Sequence, residues 1–314
     1  MTDPVIETDS LTRQFGDVVA VDELDMTVQR GEVYGFLGPN GAGKTTTINM
    51  LLDFIHPTAG EARVLGRDVH EHSLEIRQRI GILPEGAQLY PRLSAREHVE
   101  FVAETKDVEV DPIAKLDRVG LDREDQKRAV AGYSKGMQQR LALAMALTGD
   151  PELLILDEPS SGLDPTGMAE MREIITAVAV SGTTIFFSSH LLEQVEAVCD
   201  RVGILSDGQL VAEDTIESLR ELSGVNPVVE IAFAEPPETV TEIEAIDNVV
   251  AVETEGDSIE ITCRDSAAKI DVIRTADRLG TVTNILAEEA SLESLFERYT
   301  SNSSSAEIPQ EVRA

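Results

Sequence analysis

The sequence predicts an α/β fold: a first domain over residues 1–222 with a mixed, largely parallel sheet, and a small α+β domain of ferredoxin-like order over 228–300. Two observations predict it. Short β-rich runs alternate with helical patterns through the first 222 residues, as they do where parallel strands are joined by crossover helices. Glycine and proline then punctuate the chain at Ser223-Gly-Val-Asn-Pro227, and strand and helix patterns resume beyond it in the order βαββαβ.

Residues 31–37, GEVYGFL, read as a strand that runs into a glycine turn and a helix over 45–52. Residues 61–65 and 67–69 flank Gly66 as a small hairpin. Helical patterns follow over 74–79, 95–104, 112–118, 137–147 and 168–180. The runs at 153–156 and 183–187 are short and apolar enough to be buried central strands. In the smaller domain, strands are expected at 228–233, 249–253, 258–263 and 282–286, with helices at 238–245 and 267–279. Ser291 has the chemistry of an N-cap for a closing helix over 291–299, and the polar tail 301–314 has the composition of a disordered segment.

Charge is the strongest compositional signal. The chain of 314 residues carries 58 acidic against 26 basic side chains, only six of them lysine, for a formal charge of −32. Phosphate backbones are bound by lysine and arginine, so nucleic acid is not an expected partner. Self-repulsion on this scale is relieved where salt shortens the Debye length to about 3 Å, near 1 M. The charge therefore reads as adaptation to a salty cytosol, as in a halophile, with an acidic protein of an ordinary cell as the alternative. No apolar stretch reaches the roughly 18 residues of a membrane span. The N-terminus MTDPVIETDS is acidic and lacks a basic region followed by an apolar one, so a cytosolic location is expected. Cys199 and Cys263 lack metal-ligand spacing and read as idle thiols.

Three stretches carry chemistry. The run Gly38, Pro39, Asn40, Gly41, Ala42, Gly43, Lys44, Thr45 fits G-x-x-x-x-G-K-[ST] between an apolar strand and a helix, with Thr46 following. Its backbone amides can close around phosphates, Lys44 can reach the terminal phosphates of a nucleotide, and the Thr45 hydroxyl suits Mg2+. Asp157 and Glu158 end the apolar run LLIL, and carboxylates there are costly unless charge is needed at the sheet edge. Asp157 suits the Mg2+ shell, and Glu158 is placed to polarise a water for attack on a γ-phosphate. His190 lies just past the strand expected at 183–187, at the sheet edge where that γ-phosphate would sit. A fourth stretch, Tyr133-Ser-Lys-Gly-Met-Gln-Gln-Arg140, resembles a second anion-binding helix start and has no evident ligand of its own.

With these motifs in order, the chain resembles the nucleotide-binding subunits of ABC transporters. The stretch at 133–140 stands at the family's signature, where Ser134 and Gly136 keep the positions needing a hydroxyl and a bare backbone, while Tyr133, Lys135 and Met137 depart. Ser160-Ser-Gly-Leu-Asp164 resembles the D-loop, Phe15 the aromatic that stacks on adenine, and His190 the switch histidine. At the Q-loop the expected glutamine is Glu85, which the family's spacing implies lies near Mg2+, with Gln88 as another source of the amide. The resemblance implies ATP and Mg2+ as cofactors. It also implies a head-to-tail pair of subunits, homodimeric or paired with a related ATPase, in which each P-loop faces the partner's signature and Asp164 lies at the shared site. It further implies a separate transmembrane permease and a peripheral position on the cytoplasmic face of the membrane. The signature variant, the LPE sequence at 83–85 and the C-terminal module resemble most the ATPases of ABC-2-type exporters, the daunorubicin-resistance group. The smaller domain reads as regulatory, dimer-stabilising or simply accessory. The competing reading is a soluble ABC ATPase without a transport role. A P-loop kinase or GTPase is disfavoured by the signature, by His190 and by the lack of an Asn-Lys-x-Asp.

Overall fold

A computed structural model describes residues 3–223, 226–235, 237, 239–264, 267–288 and 296. Two compact units emerge, one through Ile216 and the other from Glu217, so the division falls at the head of a helix rather than at the Ser223–Pro227 punctuation. The expected closing helix at 291–299, apart from residue 296, and the tail 301–314 lie outside the described residues.

The first unit holds two sheets. β1 (Ile6–Phe15), β2 (Val18–Val28), β4 (Ala59–Val64) and β5 (Arg67–Asp68) form an antiparallel sheet in the order β2-β1-β4-β5. The other contains β3 (Val33–Leu37), β6 (Ile80–Leu83), β7 (Leu153–Asp157), β8 (Thr184–Ser189), β9 (Arg201–Ser206) and β10 (Gln209–Thr215), ordered β10-β9-β3-β8-β7-β6. All its pairings are parallel except β10 with β9. β3, β7 and β8 are buried along their whole length, which explains their unbroken apolar runs.

Helix α1 (Lys44–Leu51) follows the P-loop, and its Ile48, Met50 and Leu51 share a core with Val21, Leu24 and Met26 of β2 and with Phe36, Ile155 and Phe186 of the parallel sheet. Each large apolar side chain buried there contributes roughly 1.5–3 kcal/mol. The Tyr34 and Phe186 rings stack at 5.8 Å, and burial pushes the Tyr34 phenol well above its ordinary pKa while its hydroxyl donates to Glu213. α2 (Ser73–Arg79) leads into β6.

A helical arm then interrupts the sheet: α3 (Ala95–Lys106), α4 (Pro112–Arg118) and α5 (Lys135–Ala146). Each starts where a side chain satisfies orphan amides. Ser94 and Glu97 form a reciprocal capping box on α3, Asp111 accepts from Ile113 and Ala114 ahead of α4, and Ser134 accepts from Met137 on α5. α6 (Pro165–Val180) starts earlier than residue 168 because the Asp164 carboxylate accepts from the Gly167 amide and Pro165 is preset for a first turn. α7 (Leu192–Glu196) precedes β9, and α8 (Ile216–Ser223) stands at the division.

The second unit has β11 (Val228–Phe233), α9 (Thr241–Glu244), β12 (Val249–Glu255), β13 (Ser258–Cys263), α10 (Ala268–Leu279) and β14 (Val282–Glu288). The sheet order β12-β13-β11-β14, antiparallel throughout, is the ferredoxin-like arrangement. Its core joins Val229, Ile231, Ile259, Ile261 and Cys263 from the strands to Val272 and Ala276 of α10.

Candidate functional site

The site lies at the carboxyl ends of β3, β7 and β8, where an α/β sheet presents its ligands. Parallel register sets Leu37 opposite Ser189 and Asp157 opposite Ser188, so the P-loop, the acidic pair and His190 reach one sheet end from three distant stretches. The glycine loop is locked in place. Gly38 donates to the Ser189 carbonyl at 3.2 Å, and Gly43 caps α1 in the left-handed region at φ 109. A side chain at Gly43 would meet the Ala20 carbonyl at 2.4 Å, so β2 presses on the loop where only glycine fits.

Lys44 is buried and its Nζ donates to the carbonyls of Gly38 at 2.6 Å and Pro39 at 3.2 Å, with Glu158 Oε1 3.3 Å away. The lysine therefore arches over its own loop. Thr45 Oγ1 donates to Asp157 Oδ2 at 3.2 Å, while Ser188 Oγ donates to Asp157 Oδ1 at 2.6 Å and accepts from the Glu158 amide at 3.1 Å. One serine thus ties the Asp157 carboxylate to the Glu158 backbone. Glu158 has φ 50, a left-handed backbone that turns its side chain out of the strand alternation, and His190 Nδ1 meets its Oε2 at 2.8 Å. A carboxylate only accepts, so Nδ1 carries the proton.

Glu158 Oε1 is buried and accepts no hydrogen bond, although Lys44 Nζ stands nearby off hydrogen-bonding geometry. An orphan carboxylate oxygen there suits a water or substrate proton. Thr45 and Asp157 offer the oxygen donors that Mg2+ takes, Asp157 being buried and already oriented, so this chain's residues fit that ion. Of the remaining loop residues, Ala42 is buried, Pro39, Asn40 and Gly41 are exposed, and Thr46 is half-buried.

Phe15 ends β1 with its ring exposed and the Arg13 guanidinium 4.4 Å over it. Glu85 and Gln88 lie exposed beyond β6, and Glu85 makes no hydrogen bond or ion pair among the described residues. Asp164 serves as the α6 cap.

Ser134 and Gly136 open α5, with no hydrogen bond or ion pair from them to residues 38–46 among the described residues. Nothing lies within 4 Å of where a side chain at Gly136 would begin. Tyr133 anchors the turn before them: its hydroxyl donates to the Asp125 carbonyl at 2.6 Å and the Arg128 guanidinium lies 4.8 Å from its ring. The Lys135 stem lies 3.5 Å from the Cβ position of Gly162, placing the signature against the D-loop.

Sequence reasoning missed Ser188 and Gln194, and gave Ser160 no role beyond opening the D-loop. Ser160 is buried and donates to Gln194 Oε1 at 3.2 Å, fixing the start of the D-loop. Two serines before His190 were the available signal, but which one faces Asp157 follows only from the β7–β8 register.

A family model described as ABC transporter matches residues 21–161. The chain is 43% identical over 222 residues to the bacitracin transport ATP-binding protein BcrA of Bacillus licheniformis, covering 69% of this chain and 72% of that protein. It is 35% identical over 302 residues to the Nod factor export ATP-binding protein I of Burkholderia lata, covering 94% of this chain and 96% of that one. The daunorubicin resistance ATP-binding protein DrrA3 of Streptomyces coeruleorubidus is 37% identical over 229 residues, covering 71% of this chain and 72% of that protein. A solved ATP-binding cassette, described as dimeric in a post-hydrolysis state with ADP and phosphate, shares the fold at 23% identity and TM-score 0.61, over 67% of this chain and 98% of that one. The chain belongs to the ABC transporter family, as an ATP-binding and ATP-hydrolysing subunit.

Proposed function

We propose that the chain powers a separate transmembrane exporter of ABC-2 type, working as a head-to-tail pair that closes over two ATP molecules. The observation that carries the reading is the convergence of Lys44, Thr45, Asp157, Glu158 and His190 at one sheet end, with no hydrogen bond or ion pair from Ser134 or Gly136 of the signature to these residues among the described residues. Relatives named for bacitracin transport, Nod factor export and daunorubicin resistance support export, and the dimeric cassette supports pairing. No helix among the described residues is long and apolar enough to cross a membrane, so the reading assigns the pathway to another subunit and the chain to the membrane's cytoplasmic face.

In this reading the amides of 38–46 and Lys44 hold the phosphates, and phosphate oxygens replace the loop carbonyls as partners of Nζ. Thr45 and Asp157 would hold Mg2+, which neutralises phosphate charge when bound; Glu85 is a further candidate ligand. Glu158 accepts the proton of the attacking water at its unbonded Oε1, while His190 fixes the carboxylate through Oε2; a bond from its Nε2 to the γ-phosphate requires the imidazolium form. Phe15 supports adenine. Ser134 accepts from its own helix, so its hydroxyl proton is available to a phosphate oxygen on the partner's ATP, and Gly136 lets that phosphate approach α5. Asp164 borders the shared site through the D-loop.

The test is purification from native membranes at the ionic strength of the source cell. Copurification of a polytopic membrane protein, with Mg2+-dependent ATPase activity abolished in Lys44→Ala, is the expected result. A particle found free of membranes in every fraction would favour the non-transport reading.

A further inference from the structure

Asp53, His56 and His70 form a second cluster, separated from the P-loop by the length of α1, about 12 Å. Each offers one ligand atom, and the three atoms lie within 4.8 Å of one another. Asp53 Oδ1 stands 3.1 Å from His56 Nδ1 and 3.1 Å from His70 Nδ1. Ligands about 2.0–2.1 Å from a tetrahedral ion stand about 3.3 Å apart, so these separations already match two edges of a zinc-type site. Of the two histidine contacts, the His70 one has hydrogen-bonding geometry, and the two rings meet edge to face at 4.5 Å.

Each ligand is held by its own backbone device. Asp53 follows the α1 C-cap with φ 57, and its side chain is only 12% exposed. The Asp68 carboxylate accepts from the amides of His70 and Glu71, both at 2.9 Å, which sets the turn carrying His70. These bonds, Glu71 first, also hold the Asp68 pKa below its usual value. Arg13 Nη1 donates to the His56 carbonyl at 2.7 Å, and the Thr58 amide to the Thr12 carbonyl at 2.7 Å, tying the third segment to β1. The imidazoles themselves are 64% and 68% exposed, which leaves them room to turn both lone pairs toward one point.

Electrostatics favour a cation at this place. The cluster sits at the carbonyl end of α1, where positive charge is stabilised, and the Asp53 carboxylate balances one of an ion's two charges. Arg13 is the opposing term, though its guanidinium is engaged with a carbonyl and the Phe15 ring. Two imidazole nitrogens and one carboxylate oxygen suit Zn2+, Co2+ or Ni2+ rather than Mg2+ or Ca2+.

We propose that Asp53, His56 and His70 bind one first-row transition-metal dication, with water in the fourth position. The ion ties the end of the P-loop helix to the loop before β4 and the turn after β5. The site is distinct from the proposed Mg2+ position at Thr45 and Asp157.

The test uses the full chain without an affinity tag, stripped of metal, titrated with Zn2+ against a chromophoric chelator and separately with Co2+ under absorption spectroscopy. One equivalent of Zn2+, undisturbed by millimolar Mg2+, and the visible bands of tetrahedral Co2+ are expected. Both should weaken at least about tenfold in the His56→Gln/His70→Gln double variant, whose exposed side chains leave the fold intact by circular dichroism. Asp53→Asn should lose binding likewise. The absence of saturable binding, or equal affinity in these variants, overturns the proposal and leaves an Asp–His hydrogen-bond cluster.

Discussion

The P-loop and the signature, the two halves of the proposed ATP site, are built in opposite ways. Around the P-loop, Lys44, Asp157, Glu158 and Ser188 are buried and tied to one another, so this half is finished within one chain. Around the signature, Ser134, Lys135 and Gly136 are exposed or half-buried, and Gly136 has open space above it. The polar groups of the first half bond one another, Glu158 Oε1 excepted, whereas Ser134 and Lys135 of the second are open to solvent, where the proposed reading sets a partner's ATP. If the site is divided as proposed, hydrolysis is coupled to association, because binding that exists only in the closed pair shifts the population toward it.

Gly136→Ala gives the largest expected effect that separates the halves. A methyl group meets nothing in this chain and alanine favours the helix by about 0.5–1 kcal/mol, so the isolated subunit should melt no lower than the parent. Turnover should nevertheless fall by about 10²-fold or more if a phosphate approaches there, since a misplacement near 1 Å costs that much. Unchanged turnover, measured as phosphate release, would remove Gly136 from the contact.

Ser188→Ala probes the self-contained half. Asp157 Oδ1 loses its donor, a cost of about 1–3 kcal/mol, while the Glu158 amide keeps the Ser188 carbonyl at 3.2 Å as acceptor, and a supporting partner of a metal ligand typically sets 10–100-fold in metal affinity or rate. A raised Mg2+ requirement for turnover, with ATP-driven pairing retained, is the expected outcome. Loss of pairing alone would place Ser188 in the wrong half.

A smaller effect lies outside both halves. Glu253, Glu260 and Glu230 stand opposite one another across β12, β13 and β11, and like charges so placed destabilise a sheet by roughly 0.2–1 kcal/mol per pair. With a chain charge of −32, Glu260→Gln should raise the melting temperature in dilute buffer and lose that advantage near 1 M salt. An advantage independent of salt would undercut the reading of the acidic surface as one suited to high salt.

Legibility in the sequence followed locality. The P-loop, Asp157, Glu158 and His190 are contiguous or strand-end signals, and the chain's own order exposes them. The smaller unit was equally readable because β11 and β13 alternate buried and exposed residues without interruption. β1 and β2 were not read, since register shifts at Thr8/Leu11, Leu11/Arg13 and Arg13/Gln14 break the period of two that marks a half-buried strand. Ser188 depended on pairing between strands, and the Asp53, His56 and His70 cluster on a hairpin that folds residue 70 back to residue 53. Glu85 was singled out by position, and among the described residues it makes no hydrogen bond or ion pair that would fix its role.

The most direct test of the divided site uses Glu158→Gln, expected to slow hydrolysis by removing the proposed base while leaving ATP to be bound, with and without Ser134→Arg. Light scattering should find the single variant dimeric with ATP and the double variant monomeric, with ATP affinity of the monomer unchanged within about threefold. If Ser134→Arg weakened ATP binding to the monomer as much as it weakened pairing, the signature would belong to its own chain's site and the divided account would be wrong.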